Sequence, residues 1–152
     1  MAAKDHDIKI LNSLIETTLD SADGYNQAAS KAKNPQYKNL FQQWASERRQ
    51  VVSELQSEVR TLGGNPEDDG SVLAAGHRTF LKLRDTVTGS DDTSVVDEVE
   101  RGEDFIKAKY EEALEDEELS SEVRDAVVRA YGSVKTGHDQ ARNLKHALHG
   151  RA

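Results

Sequence analysis

The chain has 152 residues, enough for one domain with a continuous core, and a single domain over residues 1–152 is expected. It is 36% hydrophobic and 32% charged, with 5% aromatic residues, two prolines and no useful stretch of period-two alternation, so an all-α fold is predicted. The lack of cysteine excludes disulfides, thiolate catalysis and cysteine-ligated zinc, and a formal charge of −8 with scattered basic residues argues against a nucleic-acid partner. No stretch reads as a membrane span, and the N-terminal MAAKDHDIKILNSL has no signal-peptide pattern; a cytoplasmic protein without a membrane partner is expected.

The first helix is predicted from about Asp5 to Ala32, where Ile8, Leu11, Ile15, Leu19, Ala22 and Ala29 recur at helical spacing. Asn34 and Pro35 suit the N-cap and first position of a second helix carrying Leu40, Phe41, Trp44, Val51, Val52, Leu55, Val59 and Leu62. That helix stops at Gly63-Gly64, where glycine can adopt the left-handed cap conformation. A shorter helix is predicted over 71–88 with Leu73, Phe80, Leu83 and Val87 on one face. Ser90-Asp91-Asp92 then places a cap and two acids at the positive end of a third long helix reaching about Asp116. Ser120 caps the last helix, whose apolar positions include Val123, Val127, Ala130, Val134, Ala141 and Leu144. Glycine and proline punctuation cuts the chain into bundle-length pieces rather than one coiled coil, giving an up-down pair, a crossover and a second up-down pair.

One residue does not suit its place. Val96, Val99, Glu103, Ile106, Tyr110, Ala113 and Leu114 share one face of the third long helix, so Glu103 is predicted to be buried and to need a partner. The same angular reading puts His138 on the inner side of the last helix and His77 on the apolar face of the shorter one. Glu16 and Glu47 border their stripes, and Glu100 borders its own one turn before Glu103. Counting from the hairpin turns at about 1.5 Å per residue brings Glu16, Glu47, Glu103 and His138 to mid-height. Carboxylates and a histidine converging in a bundle can hold iron or manganese. Arg48, central in its own stripe, is the other candidate partner of Glu103, in which case the set is a structural ion-pair and hydrogen-bond network with no cofactor.

The stretches LNSLIETTLDSADGY, ELQSEVRTLGGNPEDDGSVLAAGHR and VTGSDDTSVVDEVERGEDFIKAKYEEAL resemble bacterial ferritin-like four-helix-bundle proteins classed as a family of unknown function. The resemblance covers nearly the whole chain. It implies a ferritin-like up-down four-helix bundle with an extra crossover helix between the second and third long helices. By analogy with ferritins and rubrerythrins of the wider superfamily, it also implies that Glu16, Glu47, Glu103 or Glu100, and His138 stand where di-iron ligands are expected. The chain departs from that pattern. The di-iron site uses Glu-x-x-His twice, whereas the second helix here reads Glu47-Arg48-Arg49-Gln50 and the last reads Lys135-Thr136-Gly137-His138.

Two functions follow. One is a bundle that takes up iron or manganese at a reduced site formed by Glu16, Glu47, Glu100 or Glu103 and His138. The other is a non-catalytic helical protein of stress or assembly, with Arg48 closing a relic site. No serine lies in a nucleophile context and no glycine-rich loop has phosphate-binding spacing, so neither hydrolase nor nucleotide chemistry is indicated. A homodimer is expected from Tyr25 and Tyr37, which fall at stripe margins and would leave apolar surface to cover.

Overall fold

A computed structural model of the protein describes residues 2–67 and 92–149. Their regular structure is four α-helices and no strand: α1 (Ala2–Lys31), α2 (Pro35–Thr61), α3 (Asp92–Leu114) and α4 (Ser121–His149). The helix expected over 71–88, and His77 with it, lies outside the described residues.

The boundaries follow local chemistry. Asn34 Oδ1 accepts the Gln36 N–H at 2.9 Å, and Pro35 occupies the first turn, where its missing donor costs nothing. At the other end of α2, Gly63 takes φ 83°. The Gly63 N–H then reaches Arg60 O at 2.9 Å and the Gly64 N–H reaches Val59 O at 3.0 Å, the paired bonds of a Schellman cap. Ser120 Oγ accepts the Val123 N–H at 3.4 Å and opens α4.

Cross-helix contacts fix the directions. His6 near the start of α1 meets Asp116 just beyond α3, while the end of α1 meets Asp92, so α1 and α3 are antiparallel. Glu58 late in α2 pairs with Arg129 early in α4, so α2 and α4 are antiparallel too. The order is therefore up, down, down, up. The end of α2 and the start of α3 stand at opposite ends of a bundle about 40 Å long. Residues 64–67 already run back alongside α1: Gly64 lies against Ile8, Asn65 O accepts from Asn12 Nδ2, and the Glu67 N–H donates to Asn12 Oδ1.

The core divides into two apolar sections. One, built around Leu11, Ile15, Leu55, Val59, Ile106, Tyr110 and Val127, fills the end where α1 begins. The other holds Tyr25, Phe41, Trp44, Val95, Val96, Val99 and Ala141. In the second section Tyr25 stacks on Phe41 and both meet Trp44 edge-on, with ring centroids 5.5–6.3 Å apart. Tyr25, one of the two tyrosines placed at stripe margins, is thus a core residue, 1% exposed, because its ring completes this aromatic packing. Tyr37 is half-buried against the same section.

At the top of the bundle the Asp92 carboxylate accepts the Lys33 N–H at 2.7 Å and the Asn34 N–H at 3.0 Å. One acid in the first turn of α3 thereby satisfies two backbone donors in the α1–α2 turn. Asp92→Ala leaves both without that partner, and we expect urea denaturation to show a loss of about 1–2 kcal/mol.

Candidate functional site

Between the two apolar sections lies one polar layer to which every helix contributes. Each helix crosses it between the two sections: Ser21 falls between Leu19 and Tyr25, Arg48 between Ala45 and Val51, Glu103 between Val99 and Ile106, and Gly137 and His138 between Val134 and Ala141. Arg48 is 3% exposed and Glu103 2%. Arg48 Nη2 donates to Glu103 Oε2 at 2.7 Å, and Nη1 donates to Ser21 Oγ at 2.8 Å. Nη2 also reaches the Val134 carbonyl at 3.4 Å, and the guanidinium lies 5.6 Å from the centroid of the Tyr25 ring. The Tyr25 hydroxyl donates to Glu103 Oε1, so both carboxylate oxygens are occupied.

Burial by itself disfavours the Arg48 charge, but Glu103 beside it, with help from Tyr25, more than offsets that and holds the guanidinium more firmly protonated than usual. Burial and then the Glu103 charge push the Tyr25 hydroxyl well above its ordinary range, so it remains a donor. Below the layer Tyr110 shares a hydrogen bond of 2.7 Å with Thr18 Oγ1, which in turn donates to Leu14 O, and burial pushes the phenol up to about 12.

Gly137 makes the layer possible. A Cβ built there would collide with Arg48 Nη2, so only glycine lets α4 come this close to the guanidinium. A glycine inside a long helix costs roughly 1 kcal/mol relative to alanine, and that cost is the signal in the sequence that could have marked this approach.

The residues expected as metal ligands do not converge as a set. Glu103 is buried as expected, with Arg48 and Tyr25 as its partners. Glu47 is exposed, because it precedes Arg48 by one residue and so points away when Arg48 points in. Glu16 is half-buried and lies a turn and more from the layer, where burial and then the Glu67 charge raise its pKa. His138 is buried and its Nε2 meets Asp104 Oδ1 at 2.6 Å. Glu100 completes a group with these two in which the candidate ligand atoms all lie within 4.8 Å of one another. Asp104 was not among the sequence candidates, although its position one turn after Glu100 puts both on one helical face. His6, Asp116 and Glu118 form a second such group among the described residues, at the closed end of the α3–α4 turn. There the Asp116 carboxylate also accepts the Glu118 N–H, and this bond, followed by that to His6, lowers its pKa. No described helix is long and apolar enough to cross a membrane.

Fold and layer together define a four-helix bundle with a closed polar section at mid-height. The chain belongs to the family described as a domain of unknown function (DUF2383), whose pattern matches residues 6–116. The matched span contains Ser21, Tyr25, Arg48 and Glu103 and ends before α4. No curated protein matches the chain.

Either single change, Arg48→Met or Glu103→Gln, strands a buried polar partner, and we expect each to lower unfolding free energy by about 3–5 kcal/mol. Arg48→Met combined with Glu103→Leu removes both charges and should recover much of that loss in the same urea titrations, giving a large coupling in the double-mutant cycle.

A second buried acid behaves differently. Asp20 is 4% exposed, and its burial, with a smaller effect of Asp23, pushes its carboxyl up to about 7. The folded state therefore holds the proton more tightly than the unfolded state, in which the carboxyl ionises near pH 4. Below pH 4 the group is neutral in both states; stability is lost as pH rises to about 7 and stays lost above it. Asp20→Asn should raise Tm by roughly 3–6 °C at pH 8, corresponding to about 1–2 kcal/mol after screening by nearby water, with little effect at pH 4.

Proposed function

We propose that this protein is a non-catalytic bundle of the ferritin-like arrangement, in which a guanidinium stands at mid-height where ferritin-like di-iron proteins hold metal. It acts as a helical stress or assembly protein through its acidic surface, and its inward polar residues maintain the fold. The carrying observation is the Arg48–Glu103 contact of 2.7 Å inside a layer where Tyr25 takes the remaining carboxylate oxygen.

The up, down, down, up order, with α2 ending and α3 beginning at opposite ends, supports the ferritin-like assignment. The donor set does not fit a di-iron centre. An ion bound by Glu103 would sit against the fixed charge of Arg48, and of the other expected carboxylates Glu47 is exposed and Glu16 is displaced along α1. Gln50 and Lys135, at the positions where Glu-x-x-His would supply further ligands, both lie on the exposed side.

Oxygen uptake after Fe²⁺ addition tests this reading. We expect iron in air-saturated buffer to oxidise at the same rate with the protein as without it, and Glu103→Gln to change nothing. Protein-dependent oxidation that is lost in Glu103→Gln and kept in Glu100→Gln would identify a metal centre in the core and overturn the proposal.

A further inference from the structure

At the seam between α3 and α4, beside the Arg48–Glu103 pair, a second set of groups takes no part in that ion pair. Glu100 and Asp104 stand one turn apart on α3, and like charges at that spacing destabilise a helix unless a cation answers them. Two groups on α4 meet them: His138 Nε2 lies 2.6 Å from Asp104 Oδ1, and Lys145 Nζ lies 3.5 Å from Glu100 Oε2. We propose that Glu100, Asp104 and His138 form an exchangeable site for a divalent first-row transition ion, and that Lys145 is the cation the ion displaces.

Four features carry this. The imidazole and the two carboxylates are already within 4.8 Å of one another, and ligands sharing one ion at about 2.1 Å stand roughly 3 Å apart, so closure needs only side-chain rotation. His138 is 7% exposed, so the least mobile of the ligands is held ready by its helix. Its other ring nitrogen, Nδ1, lies 3.5 Å from Asp139 Oδ1, a carboxylate placed to hold the ring proton on that side once an ion comes between Nε2 and Asp104. Asp104 is 58% exposed at its side chain, which gives an ion a way in and leaves coordination positions for water.

The donor chemistry selects the ion. One imidazole with two carboxylates suits Mn²⁺, Fe²⁺, Co²⁺ or Zn²⁺, whereas Mg²⁺ and Ca²⁺ prefer all-oxygen sites. Charge points the same way. Glu100, Asp104 and Asp139 bring three negative charges to the seam, and Lys145 on Glu100 with Arg142 on Asp139 answers two of them. A divalent ion that releases Lys145 supplies the deficit at the ligand atoms themselves. None of these residues pairs with Arg48 or Glu103, so the core layer stays closed whether or not the seam is loaded.

The test is calorimetric titration of the full chain with Zn²⁺, Co²⁺, Mn²⁺ and Mg²⁺ chlorides, alongside visible spectroscopy of the Co²⁺ form. We expect one ion per chain, Zn²⁺ and Co²⁺ binding more tightly than Mn²⁺, no Mg²⁺ binding at the same concentrations, and d–d bands from Co²⁺. His138→Gln and Glu100→Gln should each weaken Zn²⁺ at least tenfold. Lys145→Met should tighten it several-fold, and His6→Gln should leave it unchanged. Because the Glu100 and Asp104 side chains lie at the seam, Glu100→Gln and Asp104→Asn remain informative even if His138→Gln unfolds. Zn²⁺ affinity within twofold of wild type in both of these variants overturns the site. Loss of binding in His6→Gln instead overturns it in favour of the Asp116 group, and unchanged affinity in Lys145→Met overturns the displacement.

Discussion

The contact between Arg48 and Glu103 sets the axial position of every helix in this bundle. A guanidinium and a carboxylate at 2–3% exposure can meet at one height only. Sliding α2 past α3 by one turn, about 5.4 Å, would leave each charge facing valine or isoleucine in an apolar section. The remaining helices are locked to the same height by other partners of the same pair: α1 through Ser21 and Tyr25, α4 through the Val134 carbonyl and the absence of a side chain at Gly137. Buried ion pairs add little net stability once desolvation is counted, so the contribution of this one is to alignment. Apolar residues on either side can pack in several registers; the polar layer accepts one.

Glu103 and Asp20 are both removed from water, and their neighbours treat them differently. Glu103 has a fixed cation at 2.7 Å and a phenolic donor on its second oxygen, so it is held in place as one half of an ion pair. Asp20 has Asp23 as its nearest electrostatic influence, and burial makes the proton its cheapest companion. The α1 face bearing Glu16 and Asp20, both with raised pKa values, therefore gains charge as pH rises.

Much of this was legible in the sequence because helices buried on one side repeat with a period that survives small errors. The four long helices fall within a few residues of expectation, and Asn34, Pro35, Gly63 and Ser120 mark ends by chemistry that depends only on neighbours in the chain. The burial of Glu103 and the candidacy of Arg48 came from the same periodicity. Periodicity fails where rotation about a helix matters at the level of one residue. Glu47 and Arg48 differ by about 100°, enough to put one in water and the other in the core. Tyr25, at a stripe margin by angle, is drawn inside by Phe41 and Trp44 on another helix, which no local pattern records. Asp104 escaped for a related reason: its partner, His138, is 34 residues away on α4, and only the crossing of two helices makes them neighbours.

The two places where cations meet carboxylates in this bundle differ in a way that bears on what each can do. At mid-height the cation is covalently part of the chain and its charge is matched by one carboxylate. A metal in that position would couple folding to metal supply, since an unfilled cluster of buried carboxylates has to take up protons or open to water. Arg48 removes that dependence. At the seam the geometry is the reverse: the acids are partly in water, the lysine opposite is held at 3.5 Å by a flexible stem, and the histidine alone is rigid. Exchange of one cation for another there costs little structure, because no apolar section closes over it. The bundle thus separates the charge that defines its shape from the charges left free to respond to what the solvent contains.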